Sequence, residues 1–141
     1  MIRTPLLLAL LPTALLSACC CGLPSDSAPV DVLYDADRSA YTPADSIVTR
    51  LENTSSADVG YNLCGAALER QSGGGWTRVM RTPEPTCAQS LQVLRPGESA
   101  TYREPASAVP APGTYRLRTR VEVPVSGPAK DVSTGYFTVS Q

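Results

Sequence analysis

The five cysteines are the residues of this chain best suited to covalent chemistry. Three are consecutive, at Cys19, Cys20 and Cys21, and two lie far downstream, at Cys64 and Cys87. A thiolate can be acylated, oxidised to a disulfide or used as a nucleophile, and a catalytic nucleophile needs an activating base such as histidine. The 141-residue sequence contains no histidine. Acylation and disulfide formation are therefore favoured over Ser-His-Asp, Cys-His and most zinc chemistry.

Other signatures of catalysis or cofactor binding are missing from the sequence. It has no Gly-x-Ser-x-Gly, P-loop or dinucleotide-binding motif. Asp31, Asp35 and Asp37 have neither the glycine turn nor the bidentate glutamate of a calcium loop, so we interpret them as a solvated strand end. The net charge of −1 gives no reason to expect a nucleic-acid partner. We expect a protein that is not an enzyme and that has no cofactor and no metal.

An apolar segment opens the chain and must position the first cysteine group. A single Arg3 precedes a leucine-rich stretch from 5 to 16, interrupted only by Thr13. Its length of about 12 residues suits the core of a signal peptide and is short of the roughly 20 that span a bilayer as a helix. The segment predicts export.

The four residues at 16–19, Leu-Ser-Ala-Cys, resemble the bacterial lipobox. This resemblance implies a lipoprotein signal peptide over 1–18, cleavage before Cys19 and lipid on that cysteine. A plain secretory signal with a coincidental cysteine is the alternative. Cys19 is preferred over Cys20 and Cys21 because cleavage there leaves only Leu, Ser and Ala before the cut.

A lipid-modified Cys19 would make the membrane itself a partner of the protein, because several acyl chains give stable anchoring. The residue after it is Cys20 rather than an aspartate, so outer-membrane sorting is expected if the source has an outer membrane. Residues 19–29 are rich in small residues, serine and proline, and we interpret them as a lipidated tether. The expected location is the cell envelope.

The rest of the chain, 30–141, shows a repeat of two residues rather than 3.6. In 113–123, Tyr115, Leu117, Thr119, Val121 and Val123 alternate with three arginines and a glutamate. Residues 46–53 alternate in the same way. Further strands are predicted at 30–34, from 59 towards 70, at 76–80, at 99–103 and at 135–140, with a hairpin loop over 71–75. About seven short strands predict an all-β, antiparallel β-sandwich of immunoglobulin-like type.

Tyr115, at the head of the strand over 113–123, follows the sequence Pro112-Gly113-Thr114. This pattern is similar to the tyrosine corner of Greek-key sandwiches, in which the hydroxyl bonds to backbone a few residues upstream. An ordinary buried aromatic residue is the alternative interpretation.

Residues 40–139 resemble a bacterial immunoglobulin-like domain family of exported and lipid-anchored proteins. The resemblance is carried by short motifs at 41–46, 51–54, 68–76, 94–99, 113–116 and 137–139. These motifs are mostly structural, so the resemblance implies a fold and hardly an activity.

Cys64 and Cys87 are predicted to form a disulfide. An export signal places them in an oxidising compartment, and a hairpin turning at 72–75 would bring residue 64 near residue 87. The bridge would close a loop of about 24 residues and contribute on the order of 3 kcal/mol. The alternatives are pairing of one of them with Cys20 or Cys21, or two free thiols.

Two functions from different classes fit these features. The first is a non-catalytic envelope module that binds an unidentified envelope protein or glycan, or that serves a larger assembly. The second is a proteinase inhibitor, since an inhibitor family of similar shape shares the Asn-Thr-Ser, Pro-Gly-Glu-Ser and Gly-Thr-Tyr motifs. Its inhibitory loop would be the segment from Arg81 to Cys87, with Arg81, Pro83, Glu84 and Pro85 as candidate binding residues. An ordinary connecting loop is the alternative for that segment.

Overall fold

The computed structural model describes residues 31–140, and the predicted signal peptide (1–18) and the predicted tether (19–29) with Cys19 lie outside the described residues. The described chain forms eleven strands and one short 3-10 turn, with no α-helix among these residues. The strands are β1 (Val32–Ala36), β2 (Ala40–Tyr41), β3 (Ser46–Asn53), β4 (Val59–Tyr61), β5 (Ala67–Ser72), β6 (Gly75–Val79), β7 (Gln92–Leu94), β8 (Ser99–Pro105), β9 (Gly113–Glu122), β10 (Ala129–Ser133) and β11 (Phe137–Val139). The 3-10 turn, Ala106–Ala108, joins β8 to β9.

Two sheets make the sandwich. The smaller sheet has the order β1-β3-β8, and all its pairings are antiparallel. The larger sheet is organised around β9. One edge of β9 pairs with β4 and β5, and its other edge pairs with β10 and β11. β7 and β6 extend the sheet beyond β4 and β5, and β2 adds to β11 in parallel. The architecture is the predicted immunoglobulin-like β-sandwich.

The alternation seen in the sequence decides which side chains face the core. In β3, Ile47, Thr49 and Leu51 are buried, and in β9, Tyr115, Leu117, Thr119 and Val121 are buried. Apolar side chains of both sheets fill the space between them, and removal of their surface from water is the main stabilising contribution. All of the buried core described here belongs to 31–140, as does the disulfide described below.

Apart from shifts of one or two residues at strand ends, the strand predictions differ from the structure in three places. The predicted strand from 59 towards 70 is broken at 62–66, where the chain leaves the edge of β9 and returns to it as β5. The other edge of β9 is interrupted in the same way at 134–136. β2, β7 and β10 were not predicted, because the first two have only two or three residues and the third lacks an apolar alternation. The segments therefore outnumber the seven predicted strands.

Candidate functional site

The segment between β6 and β7, residues 80–91, is the longest connection without a strand in the described chain, and we call it the clasped loop. The structure contains the predicted disulfide between Cys64 and Cys87, with 5.7 Å between their Cα atoms. The bonded cysteines lie in two loops and not opposite one another in the β5–β6 hairpin. The disulfide joins the break between β4 and β5 to the middle of the clasped loop.

Arg81 fixes the beginning of the clasped loop from inside the protein. Its Nε lies 2.6 Å from Oε2 of Glu104 on β8, and its Nη2 donates a hydrogen bond of 2.8 Å to the carbonyl oxygen of Ala66. Both charged side chains are buried. The prediction that Arg81 is an exposed binding residue is therefore wrong, because its guanidinium neutralises a carboxylate that faces the core.

Glu104 is an unusual member of the inward-facing row of β8, where it follows Ala100 and Tyr102. The close approach of the Arg81 Nε atom to Glu104 Oε2 places the two opposite charges in direct contact. Burial raises the pKa of Glu104 above its usual value, although the positive charge of Arg81 opposes the shift. Burial also raises the pKa of the neighbouring Tyr34 to about 12, which keeps that hydroxyl neutral.

Hydrogen bonds to backbone carbonyl groups hold the remainder of the clasped loop. The side-chain amide Nδ2 of Asn62 donates to the backbone carbonyl oxygen of Ala88 at 2.7 Å. The backbone N–H of Thr82 donates to the carbonyl oxygen of Ala108 in the 3-10 turn at 2.9 Å. A disulfide, a buried ion pair and these hydrogen bonds together attach the loop to both sheets, which restricts its conformations.

The other residues predicted for this loop lie nearer the surface. Pro83 and Glu84 are exposed and Pro85 is partly buried. Glu84 turns one oxygen back to the loop, where Oε2 accepts a hydrogen bond of 2.9 Å from the backbone N–H of Arg81. Pro83 is preceded by a cis peptide bond. The surface offered by the clasped loop therefore consists mainly of small, polar and proline side chains.

A second polar surface covers the outer side of the larger sheet, and we call it the arginine face. It is formed by outward side chains of β9 together with those opposite them on β5, β6 and β10. Its cations are Arg78, Arg116, Arg118 and Arg120, and its buried anion is Glu69. The Nε atoms of Arg116 and Arg118 lie 2.8 and 2.9 Å from the two oxygens of Glu69. One carboxylate thus orients two guanidinium groups.

Trp76 and Asp131 complete the arginine face. The guanidinium of Arg116 stacks over the Trp76 ring at 4.5 Å from its centroid, a cation–π contact. Asp131 lies 3.4 Å from Arg118 and 4.0 Å from Arg120. Between these side chains runs an open groove of about 490 Å³ lined by Asn62, Gly65, Ala67, Arg78, Leu91, Arg118, Thr119, Arg120 and Asp131. Three guanidinium groups and one carboxylate line this groove, which suits an anionic group.

Tyr115 occupies the position predicted from the sequence at the start of β9. Its ring is fully buried and lies beside that of Phe137, and its hydroxyl donates to the carbonyl oxygen of Ala111, four residues upstream. This is the hydrogen bond that defines a tyrosine corner. The residue connects the 106–112 segment to β9.

Within 31–140, no group of three or more histidine, cysteine, aspartate or glutamate residues is arranged to hold a metal ion. No helix in this same region is long and apolar enough to cross a membrane. The lipidation predicted at Cys19 lies outside the described residues.

Several residues of these surfaces were not found from the sequence. Glu104 and Glu69 are acidic residues at buried positions, and Glu104 lies one residue beyond the strand predicted at 99–103, so the inward row of that predicted strand does not include it. Asn62 reaches the groove because it lies in the break between β4 and β5. Leu91 reaches it because the end of the clasped loop passes back beside β4 before β7 begins. No pattern in the sequence indicates that the clasped loop passes back beside the larger sheet.

Comparisons with known proteins give the following results. No protein-family model matches the chain, and no curated protein matches it in sequence. It is similar to the solved ASH / PapD-like domain of human CEP192 (PapD-like domain 7), with 16% identity, a TM-score of 0.41, and coverage of 79% of this chain and 84% of that one. It is also similar to a mutant β-glucosidase from Listeria innocua in complex with laminaribiose, with 12% identity, a TM-score of 0.33, and coverage of 75% and 16%. The fold assignment rests on the strand order and register of this chain itself.

Proposed function

We propose that this chain is a lipid-anchored, non-catalytic protein of the cell envelope whose immunoglobulin-like domain binds an envelope protein or glycan. The clasped loop is the binding surface in this proposal. The observation that carries it is the fixation of residues 80–91 by the Cys64–Cys87 disulfide and the Arg81–Glu104 ion pair. A loop that is already ordered loses little conformational entropy when a partner binds to it.

The anchoring part of the proposal is supported by the sequence at 16–19 and by the disulfide, which suits an oxidising compartment outside the cytoplasm. Lipid on Cys19 would hold the domain at a membrane, and an outer membrane is the expected one if the source has it. The test is a Cys19→Ala variant in the native host, followed by separation of membranes and a wash at high salt. Anchoring predicts that the variant leaves the washed membranes while the parent stays. Equal retention of the two would exclude it.

The binding part is tested by affinity capture from solubilised membranes with the intact lipoprotein. Thr86 and Gln89 are exposed in the clasped loop, and the structure shows no side-chain hydrogen bond for either. A variant with Thr86→Arg and Gln89→Arg should lose a partner that the parent captures. The matched control, Ser99→Arg with Thr101→Arg, adds the same two charges at exposed positions of β8 and should keep the partner. A partner lost equally from both variants, or from neither, would contradict binding through this loop.

Proteinase inhibition is a second candidate, favoured by the exposed residues 82–84 of the same loop. An inhibitor needs a rigid segment that enters a protease cleft, and the clasp supplies the rigidity. Because Arg81 is buried against Glu104, its side chain is not available for the specificity pocket of a protease. The test is incubation of the folded domain with serine, cysteine and metalloproteases. No inhibition at micromolar concentration would exclude this candidate.

A further inference from the structure

The arginine face has a surplus of positive charge that the domain as a whole does not have. The complete chain has a net charge of −1. The groove on this face is nevertheless lined by Arg78, Arg118 and Arg120 with Asp131 as the one carboxylate. Within 31–140, Arg78 makes no ion pair with another residue, and Arg120 has only the 4.0 Å contact with Asp131. Two of the three guanidinium groups are thus largely free to bind an external anion.

Exposed apolar side chains lie directly beside these cations. Leu91 lines the groove and is 43% exposed, and Val93, on the outer side of β7, is 53% exposed. Leu91 and Glu122 both lie over Gly60, where a Cβ atom would be 3.2 Å from the Leu91 Cδ1 atom and 3.6 Å from the Glu122 Cβ atom. Met80, which follows β6 at the same edge of the sheet, is 71% exposed. The surface therefore has an apolar border next to an arginine groove.

We propose that the arginine face binds anionic phospholipid headgroups, so that the domain lies with this face against the membrane that anchors it. This inference rests on the lipid anchor of the proposed function. The groove arginines would hold the phosphate, since a guanidinium matches its oxygens with paired N–H donors. Leu91, Val93 and Met80 would contact the apolar boundary below the headgroups. A soluble anion could also bind the arginines, but it would make no contact with the exposed apolar side chains, so a phospholipid fits the surface better.

The length of chain before the domain allows this contact. Eleven residues lie between Cys19 and Asp31, and an extended chain spans at most about 3.3–3.6 Å per residue, or about 40 Å from one to the other. The carbonyl oxygen of Asp31 accepts a hydrogen bond of 3.1 Å from the backbone N–H of Thr54. This places the start of the domain at the same end of the sandwich as β7 and the start of β10. The tether would also give the face an effective concentration at the membrane in the millimolar range. Weak attraction per arginine is then sufficient to orient the domain.

The experiment uses residues 22–141 without lipid, because the described core and the disulfide both belong to this part. Binding is measured by flotation with vesicles of phosphatidylcholine mixed with phosphatidylglycerol and with vesicles of phosphatidylcholine alone. The proposal predicts binding to the first and not the second, and loss of binding at high salt. Each arginine near an anionic surface contributes about fivefold to partitioning. Arg78→Gln with Arg118→Gln and Arg120→Gln should weaken binding about a hundredfold.

The matched control is Arg38→Gln with Arg50→Gln and Arg103→Gln, which removes the same charge at positions outside the arginine face and its apolar border and should reduce binding much less. Leu91→Ser should weaken binding without changing the net charge. Equal losses in the two triple variants, or binding to a soluble acidic polysaccharide instead of the vesicles, would overturn the proposal. The anchor is tested separately by the salt-washed Cys19→Ala membranes, so failure of the headgroup contact and failure of the anchor give different results.

Discussion

Arg81 and Glu104 meet between the two sheets, with 2.6 Å from Nε to Oε2 and both side chains about 95% removed from solvent. The arginine comes from a loop that follows the larger sheet, and the glutamate comes from β8 in the smaller sheet. The contact therefore holds the clasped loop across the edge of the sandwich. Buried ion pairs of this kind are costly to break, because one charge is left without its partner in a poorly solvated place.

Replacing Arg81 with methionine should lower the free energy of unfolding by about 3–5 kcal/mol, because Glu104 would remain buried without a counter-charge. The double variant Arg81→Met with Glu104→Leu should recover most of this loss. Urea unfolding followed by tryptophan fluorescence measures both. Arg95→Met is the control at an exposed site and should stay within about 0.5 kcal/mol of the parent. A double variant no more stable than the single one would show that the arginine acts through packing and not through charge.

The pH dependence of stability should show the raised pKa of Glu104. The folded protein binds the Glu104 proton more tightly than the unfolded chain, where the pKa is near 4.5. The contribution of this group to stability is then fully present below 4.5 and is lost as the pH rises through the folded-state pKa. The free energy of unfolding of the parent, minus that of Glu104→Gln, should fall as the pH rises towards neutrality. A difference that grows with pH would mean that attraction to Arg81 outweighs burial.

The disulfide should stabilise the domain and restrict the clasped loop. Replacing Cys64 and Cys87 with alanine should lower the free energy of unfolding by about 3 kcal/mol, the value expected for a closed loop of this length. Native-state proteolysis should then cut the chain within 80–91 faster than in the parent. Treatment of the parent with reductant should reproduce both changes. An unchanged cleavage rate would indicate that the hydrogen bonds and the ion pair hold the loop without the disulfide.

Removal of the Tyr115 hydroxyl isolates the hydrogen bond to Ala111. Tyr115→Phe should lower the free energy of unfolding by about 0.5–1.5 kcal/mol, because the ring and its packing against Phe137 are kept. Tyr136→Phe makes the same chemical change at a side chain that is 73% exposed and should leave stability unchanged. Thermal unfolding of the two variants under one set of conditions makes the comparison. Equal effects would argue against a stabilising role for the corner.

The long strands of the sandwich could be predicted because their alternation is visible in the sequence. β3 has the predicted bounds, and the prediction for β9 differs by one residue at its end. A strand with one face in the core must alternate apolar and polar residues, so this signal is physical and local. β2 and β7 are too short for any period to appear. β2 pairs with β11, which is distant in the sequence, and β7 pairs with β4, which ends at the break before β5.

The candidate surfaces could be predicted only in part. The outward arginines at 116, 118 and 120 follow directly from the alternation in β9. Their neighbours Glu69 and Arg78 depend on the register of β5 against β6 and β9, which a single sequence does not fix. Arg81 was predicted to be exposed because an arginine in a loop is usually solvated. It is buried because its guanidinium pairs with the buried carboxylate of Glu104. Contacts made across the sandwich are beyond the reach of a local pattern.

The central position of β9 has a consequence for the order of folding. Until residues 113–122 have been synthesised, β4 and β5 lack the strand that joins them into one sheet. β2 can pair only after Thr138 and Val139 of β11 have been synthesised. Folding rates fall as the sequence separation of native contacts grows. We therefore expect the domain to remain incompletely folded on the ribosome until β11 (Phe137–Val139) has been synthesised.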